Sequence, residues 1–94
     1  MIRNFKDKSL EKCWKLDSCG KIRSDLKRRV LMKLDVMDAA TSFEDLRYPP
    51  SNRLHPLHGD GYKNCFAISV NGPWRIVFIF EKGDVFDVRL EQYH

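Results

Sequence analysis

Four side chains able to handle protons or hold an anion stand close together in Arg53-Leu54-His55-Pro56-Leu57-His58-Gly59-Asp60-Gly61-Tyr62-Lys63. Histidine is the side chain best suited to give and take protons near neutral pH, so His55 and His58 could divide acid and base work between them. Arg53 and Lys63 beside them could hold a phosphate. Arg75 stands out for another reason: it interrupts the most apolar run of the chain, Trp74-Arg75-Ile76-Val77. An unpaired charge there would cost several kcal/mol, so Arg75 needs a carboxylate such as Asp87 or Glu91, or a bound anion. The period of two places it on the face of Val77 and Ile79, and a one-residue bulge would reverse that count. The chain closes on Tyr93-His94, an imidazole with the α-carboxylate beside it after a strand that reads as well anchored. Each feature has a plain structural alternative: a salt-bridged arginine, surface loop histidines and a frayed tail.

Other chemistries lack their residues. No glycine-rich phosphate loop, H-E-x-x-H or G-x-S-x-G is present, so serine-based nucleophilic catalysis has no support. A metal site would have to be assembled from His55, His58 and scattered acids, and no metal or cofactor is expected. The three cysteines, Cys13, Cys19 and Cys65, include no C-x-x-C pair, and an odd count argues against a disulfide framework. Free thiols are the expectation.

The elements that must position these residues read as helices first and strands afterwards. Arg3-Asn4-Phe5 is a candidate short first strand. Asp7 can cap a helix carrying Leu10, Cys13 and Trp14, with Gly20 ending it. A second helix, capped near Ser24, shows Ile22, Leu26, Val30, Leu34 and Met37 at helical spacing, with Leu31 widening the stripe and Asp25 and Arg29 paired at i,i+4 on the outside. That stripe is core. Ser42-Phe43-Glu44-Asp45 is a capping-box pattern, and Tyr48-Pro49-Pro50 ends the turn it opens. A loop rich in turn formers runs from Ser51 to Asn64. Phe66, Ile68 and Val70 then alternate with Cys65, Ala67 and Ser69, Asn71-Gly72 marks a hairpin, and Trp74 to Phe80 reads as a central strand. After Glu81-Lys82-Gly83-Asp84 a last strand is anchored by Phe86, Val88 and Leu90. The sum is one α+β domain over 1–94, two N-terminal helices packed on a small antiparallel β-sheet.

At 94 residues and 43% hydrophobic, the chain has material for a single core and no second domain. No apolar run approaches the roughly 18–20 residues of a membrane span, and Met1-Ile2-Arg3-Asn4-Phe5-Lys6 has no signal-peptide character, so a soluble cytoplasmic protein is expected. Charge is distributed unevenly. Residues 1–33 are strongly basic, with Lys21, Arg23, Lys27, Arg28 and Arg29 grouped together, whereas Asp35, Asp38, Glu44 and Asp45 reverse the sign. A basic flank of that kind attracts polyanions such as nucleic acid, although any one of these side chains could simply be solvated surface.

Taken in order, Arg53-Leu54-His55-Pro56-Leu57-His58-Gly59-Asp60, Ile68-Ser69-Val70-Asn71-Gly72-Pro73-Trp74-Arg75-Ile76 and the closing Tyr93-His94 resemble a HigB-type toxin of the RelE/ParE toxin–antitoxin superfamily. The likeness extends to Met1-Ile2-Arg3-Asn4-Phe5 and Leu34-Asp35-Val36-Met37-Asp38-Ala39-Ala40, nearly the whole chain. The resemblance implies a RelE-like fold and an mRNA endonuclease that works in the A site of the translating ribosome, is held in check by a helix-turn-helix antitoxin of the HigA type and makes no use of a membrane. It also implies that His55, Arg75, Tyr93 and His94 are active-site residues. Two positions depart from the pattern: His58 stands where the family often has lysine, and Gln92 where it has aspartate. Glu91 offers a carboxylate from the adjacent position, which on a strand points to the other face. A ParE-like gyrase inhibitor, or a non-catalytic RNA- or ribosome-binding protein on the same scaffold, would share the fold without needing the histidines with Tyr93-His94.

Overall fold

Asp7 opens helix α1 (Lys8–Leu16) from outside it: Oδ1 accepts the backbone N–H of Leu10 at 3.1 Å, a partner for one of the donors a helix start leaves over. Its other oxygen accepts from Leu90 N at 3.3 Å, so one side chain caps the helix and ties it to a strand far along the chain. Within the computed structural model, which describes residues 1–92, α1 stops at Leu16 with Asp17 in the left-handed conformation, earlier than the expected stop at Gly20. The reversal that follows brings the Cα atoms of Cys13 and Cys19 to 4.2 Å, and the two sulfurs form a disulfide. This corrects the expectation of free thiols. The odd count leaves one cysteine over, buried Cys65, without forbidding a pair.

Helix α2 (Lys27–Ala39) starts after Leu26 and has no side-chain cap, later than the expected start near Ser24. The segment before it is held by turn hydrogen bonds, Ile22 N to Cys19 O and Leu26 N to Arg23 O, both 3.0 Å. Because the helix starts late, Asp25 lies outside it. It pairs with Arg23 at 2.8 Å instead of Arg29, whose Nη1 reaches Val70 O at 3.5 Å. The apolar stripe is where its spacing places it: Ile22, Leu26, Val30, Leu34 and Met37 are all buried. The Ser42–Asp45 capping box is present and opens a 3-10 turn, Phe43–Arg47, followed by a second at Pro50–Asn52.

Four antiparallel strands follow in the order β1 (His55–Pro56), β2 (Cys65–Asn71), β3 (Trp74–Glu81) and β4 (Asp84–Gln92). The helices cover one face, where Val30, Leu34 and Met37 belong to one core with Ile68, Ile76, Phe78, Val85 and Val88. Within β4 the residues facing that core are not the alternating set the sequence suggests. The register against β3 slips between Val77 and Ile79, with Asp87 at φ 54°, so Val85 and Val88, three apart, are both fully buried. Asn4 holds this bulge, donating to Asp87 Oδ1 at 2.7 Å and accepting from Asp87 N at 3.0 Å. The N-terminal segment expected as a strand makes only isolated parallel bridges to β4, Ile2 to Val85 and Phe5 to Val88. No helix among the described residues is long and apolar enough to cross a membrane.

The double use of Asp7 yields a graded expectation. Asp7→Ala should lower stability by about 1–3 kcal/mol, the loss of a cap plus a cross-chain bond, and Asp7→Asn should recover part of it. Urea unfolding at neutral pH measures both.

Candidate active site

The face of the sheet turned away from the helices carries the polar residues. Strand register arranges them in rows. His55 lies opposite Ala67, Ala67 opposite Val77 and Val77 opposite Arg89. In the next row Ser69 lies opposite Arg75 and Arg75 opposite Glu91. Side chains directly opposite in an antiparallel pair share a face, so His55, Arg75, Arg89 and Glu91 all project to the same side. Arg75 is therefore on the face of Val77 and Ile79, as its position in the strand implies; the two register slips fall outside the Arg75–Val77 step.

Arg75 finds its anion in Glu91, Nη2 to Oε1 at 3.8 Å, with its side chain only 12% exposed. Glu91 has closer partners. Tyr62 Oη donates to Oε1 at 2.7 Å and Arg89 Nε to Oε2 at 2.8 Å. Both guanidinium groups lie 5.8 Å from the Tyr62 ring centroid, within cation–π range. Arg89 continues to the Asp87 carbonyl and the Cys65 sulfur. Burial alone would raise the pKa of the Glu91 carboxyl, but the Tyr62 hydrogen bond and the two arginines outweigh it and hold it below the usual glutamate value. In turn Glu91 pushes the Tyr62 phenol upward. The carboxylate thus does lie on the face of Arg75 and His55; the position one residue before Gln92 is the one that reaches it.

His55 stands on an exposed edge strand, and its Nδ1 lies 2.6 Å from the carbonyl oxygen of Arg53. A carbonyl only accepts, so Nδ1 is the donor in this contact and Nε2 is the ring nitrogen it leaves over. The carbonyl is aimed by Arg53 itself, which closes the Pro50–Asn52 turn in the left-handed conformation at φ 49°. A cleft of about 270 Å³ between these elements is lined by Arg53, His55, Ser69, Gly72, Pro73, Trp74 and Arg75. One histidine and two arginines are thus brought to one hollow. Strand and residue spacing set the Cα atoms of His55 and Arg75 roughly 10–12 Å apart across β2.

Other residues singled out by sequence lie elsewhere. His58 and Lys63 are exposed on the loop after β1 and do not line this cleft. Lys21, Arg23, Lys27, Arg28 and Arg29 are all exposed around the start of α2. Of these, Arg23 comes near the cleft, 5.9 Å from the Trp74 ring, while Lys27 pairs with Asp17 at 3.6 Å. Tyr93 and His94 lie outside the described residues. Tyr62 and Arg89 were not apparent as site residues from sequence. Arg89 shares the signal that exposes Arg75, a cation inside an apolar strand, and stands two residues before Glu91; Tyr62, in a turn-rich loop, offers no such signal. Among the described residues no group of three His, Cys, Asp or Glu side chains could hold a metal ion.

A two-layer scaffold with helices behind the sheet and arginines and a histidine on its open face is a toxin fold of the RelE-like class. The family described as "RelE-like toxin of type II toxin-antitoxin system HigB" matches residues 3–94, and the chain belongs to this HigB-like toxin family. It is 34% identical over 94 residues to "Toxin HigB-1" of Vibrio cholerae serotype O1, covering 99% of this chain and 98% of that one. It is 33% identical over 96 residues to "Endoribonuclease HigB" of Proteus vulgaris, covering 100% of both. A protein of Haemophilus influenzae described only as uncharacterized is 31% identical over 91 residues, with 96% of this chain and 89% of the other covered. Membership in a type II toxin–antitoxin family implies an antitoxin partner.

The depressed Glu91 carboxyl carries a stability consequence. A group whose folded pKa lies below its unfolded value stabilises the fold above the unfolded pKa and loses that contribution as pH falls through the folded one. Glu91→Gln should therefore melt at a lower temperature than the unaltered protein at pH 7, and the gap should narrow as pH falls below about 4. Thermal melts of both proteins from pH 7 to 3 test this; a gap that stays constant would mean the charge of Glu91 is not what stabilises the cluster.

Proposed function

We propose that this toxin is an endoribonuclease that cuts mRNA in the A site of the translating ribosome and so halts translation. The observation that carries the reading is the gathering of His55, Arg53 and Arg75 around one cleft, with His55 Nδ1 held by the Arg53 carbonyl and Nε2 left over for a substrate. The endoribonuclease name of the Proteus vulgaris relative points the same way.

RNA brings its own nucleophile, the 2′-OH, so the protein has to move protons and neutralise charge. His55 Nε2 takes the 2′-OH proton, the 2′-oxygen attacks phosphorus, and the bond from phosphorus to the 5′-oxygen breaks. The products are a 2′,3′-cyclic phosphate and a free 5′-OH. Arg75 and Arg53 stabilise the phosphorane with charge-assisted hydrogen bonds. The family resemblance implies that His94 and Tyr93 belong to the site; in this scheme His94 returns a proton to the leaving oxygen and Tyr93 stacks on a base, worth about 1–3 kcal/mol, or orients the phosphate. The scheme calls for no metal or cofactor. His58 and Lys63 hold the RNA backbone beyond the cleft, and Lys21, Arg23, Lys27, Arg28 and Arg29 face ribosomal RNA. The protein works in the cytoplasm, and its antitoxin is a cognate helix-turn-helix protein of the HigA type.

Two measurements test this reading. In ribosome-programmed cleavage followed by mapping of new RNA 5′ ends, His55→Ala should lower the single-turnover rate by about 10²–10⁴-fold while ribosome binding is unchanged. Deletion of His94, at equal protein level in cells, should relieve growth arrest. A protein that binds ribosomes but creates no 5′ ends would instead be a non-catalytic binder. Separately, charge reversal at Lys21, Lys27 and Arg28 should weaken ribosome binding and flatten its salt dependence; unchanged binding through a salt titration would make that flank ordinary solvated surface.

A further inference from the structure

Of the five large apolar side chains that stand exposed among the described residues, three, Met32, Val36 and Tyr48, border one groove. It runs between the outer side of α2 and the stretch from Leu46 to Arg53, has a volume of about 730 Å³, and has Ile68 and Val70 in its lining. Met32 and Val36 are i,i+4 neighbours, so they form one strip along the helix. Contiguous exposed apolar surface of this kind marks a place where something binds.

The charges along this groove have a single sign. Arg29, Lys33 and Arg53 line it, and no aspartate or glutamate does. Lys33 donates to the Oδ1 of Asn52, the one buried polar side chain among the described residues, and Asn52 Nδ2 donates to the carbonyls of Leu46 and Tyr48 at 3.1 Å. That network pins the loop wall to the helix wall, so the groove exists before anything enters it. Burial, and then the neighbouring charge of Arg29, lower the Lys33 ammonium below the ordinary lysine range. Crowded cations without a counter-charge favour an anionic occupant. The aliphatic strip formed by Met32 and Val36 suits the side chains of a peptide better than nucleobases, which seek flat aromatic platforms. Apolar anchors at i, i+3 or i+4 laid into a preformed groove are a standard peptide-recognition mode.

We infer that this groove receives an amphipathic helical segment of the antitoxin, acidic on its flanks and carrying Leu-, Ile- or Phe-like anchors on its inner side. This rests on the reading that the chain has an antitoxin partner. The groove and the cleft share Arg53, Ser69 and Gly72, so the bound segment lies along a common wall and draws on the same Arg53 that the RNA phosphate needs.

The test titrates purified cognate antitoxin into the toxin by calorimetry, with the unaltered protein, the double variant Met32→Glu/Val36→Glu and the single variant Tyr48→Ala. All three altered side chains are exposed, at 59%, 44% and 71%, so the fold should persist, and Tyr48→Ala serves should the double variant melt early. The expected result is antitoxin affinity weakened at least about tenfold in the double variant and measurably in Tyr48→Ala, with ribosome-dependent cleavage at the unaltered rate. If the unaltered protein binds antitoxin and both variants bind it equally tightly, the groove assignment is overturned and the partner reading stands. If the unaltered protein binds no antitoxin, the partner reading fails and takes this inference with it. Loss of affinity for ribosome-bound mRNA, with antitoxin binding intact, would assign the groove to RNA and also overturn the proposal.

Discussion

One carboxylate makes the open face of this sheet possible. Arg75 and Arg89 sit 12% exposed beside Cys65, Ala67 and Val77, a setting in which two guanidinium groups would repel each other and forfeit hydration. Glu91 accepts from Arg89 and Tyr62 and lies within ion-pair distance of Arg75. Tyr62 contributes twice, through its hydroxyl to the carboxylate and through its ring to both cations. The cluster orders two neighbouring strands and the loop that crosses over them, and Arg75 is presented to the cleft from within it. The rigidity of the strand, rather than any loop, sets where that guanidinium stands.

The opposite face answers to a different rule. There the sheet must match a helix stripe with a period near 3.6, and β4 meets it with a bulge at Asp87 that lets Val85 and Val88 point the same way. Asn4, from the far end of the chain, supplies the hydrogen bonds that the bulge leaves open. The core and the polar face are thereby decoupled: the slip lies between Val77 and Ile79, away from the Arg75–Glu91 row.

Much of this was legible in the chain. Residues with a strong period, the stripe from Ile22 to Met37 and the alternation in β2, appear where they were expected, because burial leaves one way to satisfy the pattern. The Asp7 cap and the Ser42–Asp45 box were readable since each needs only local hydrogen bonds. What escaped depends on distant partners. The Cys13–Cys19 pairing follows from a left-handed residue after α1, the bulge in β4 from Asn4, and the site role of Tyr62 from an acid on another strand. Arg75 sat between the two: its face followed from alternation, whereas the choice of Glu91 over Asp87 needed the register. Placement of His58 and Lys63 outside the cleft likewise turns on the path of a loop that no periodicity describes.

Arg53 shows how much of a site can hide from genetics. Its side chain lines the cleft, but its main-chain carbonyl is what holds the ring of His55, through Nδ1. Every substitution at this position keeps a carbonyl, so a mutational scan would score residue 53 for its guanidinium and for the ease with which the replacement tolerates φ 49°. Wherever the replacement keeps that φ, the hydrogen bond to His55 would stay out of such a scan, written into backbone that no codon change can delete. Only a replacement of the ester-for-amide kind, or a change in the Pro50–Asn52 turn that swings the peptide plane, would reach it.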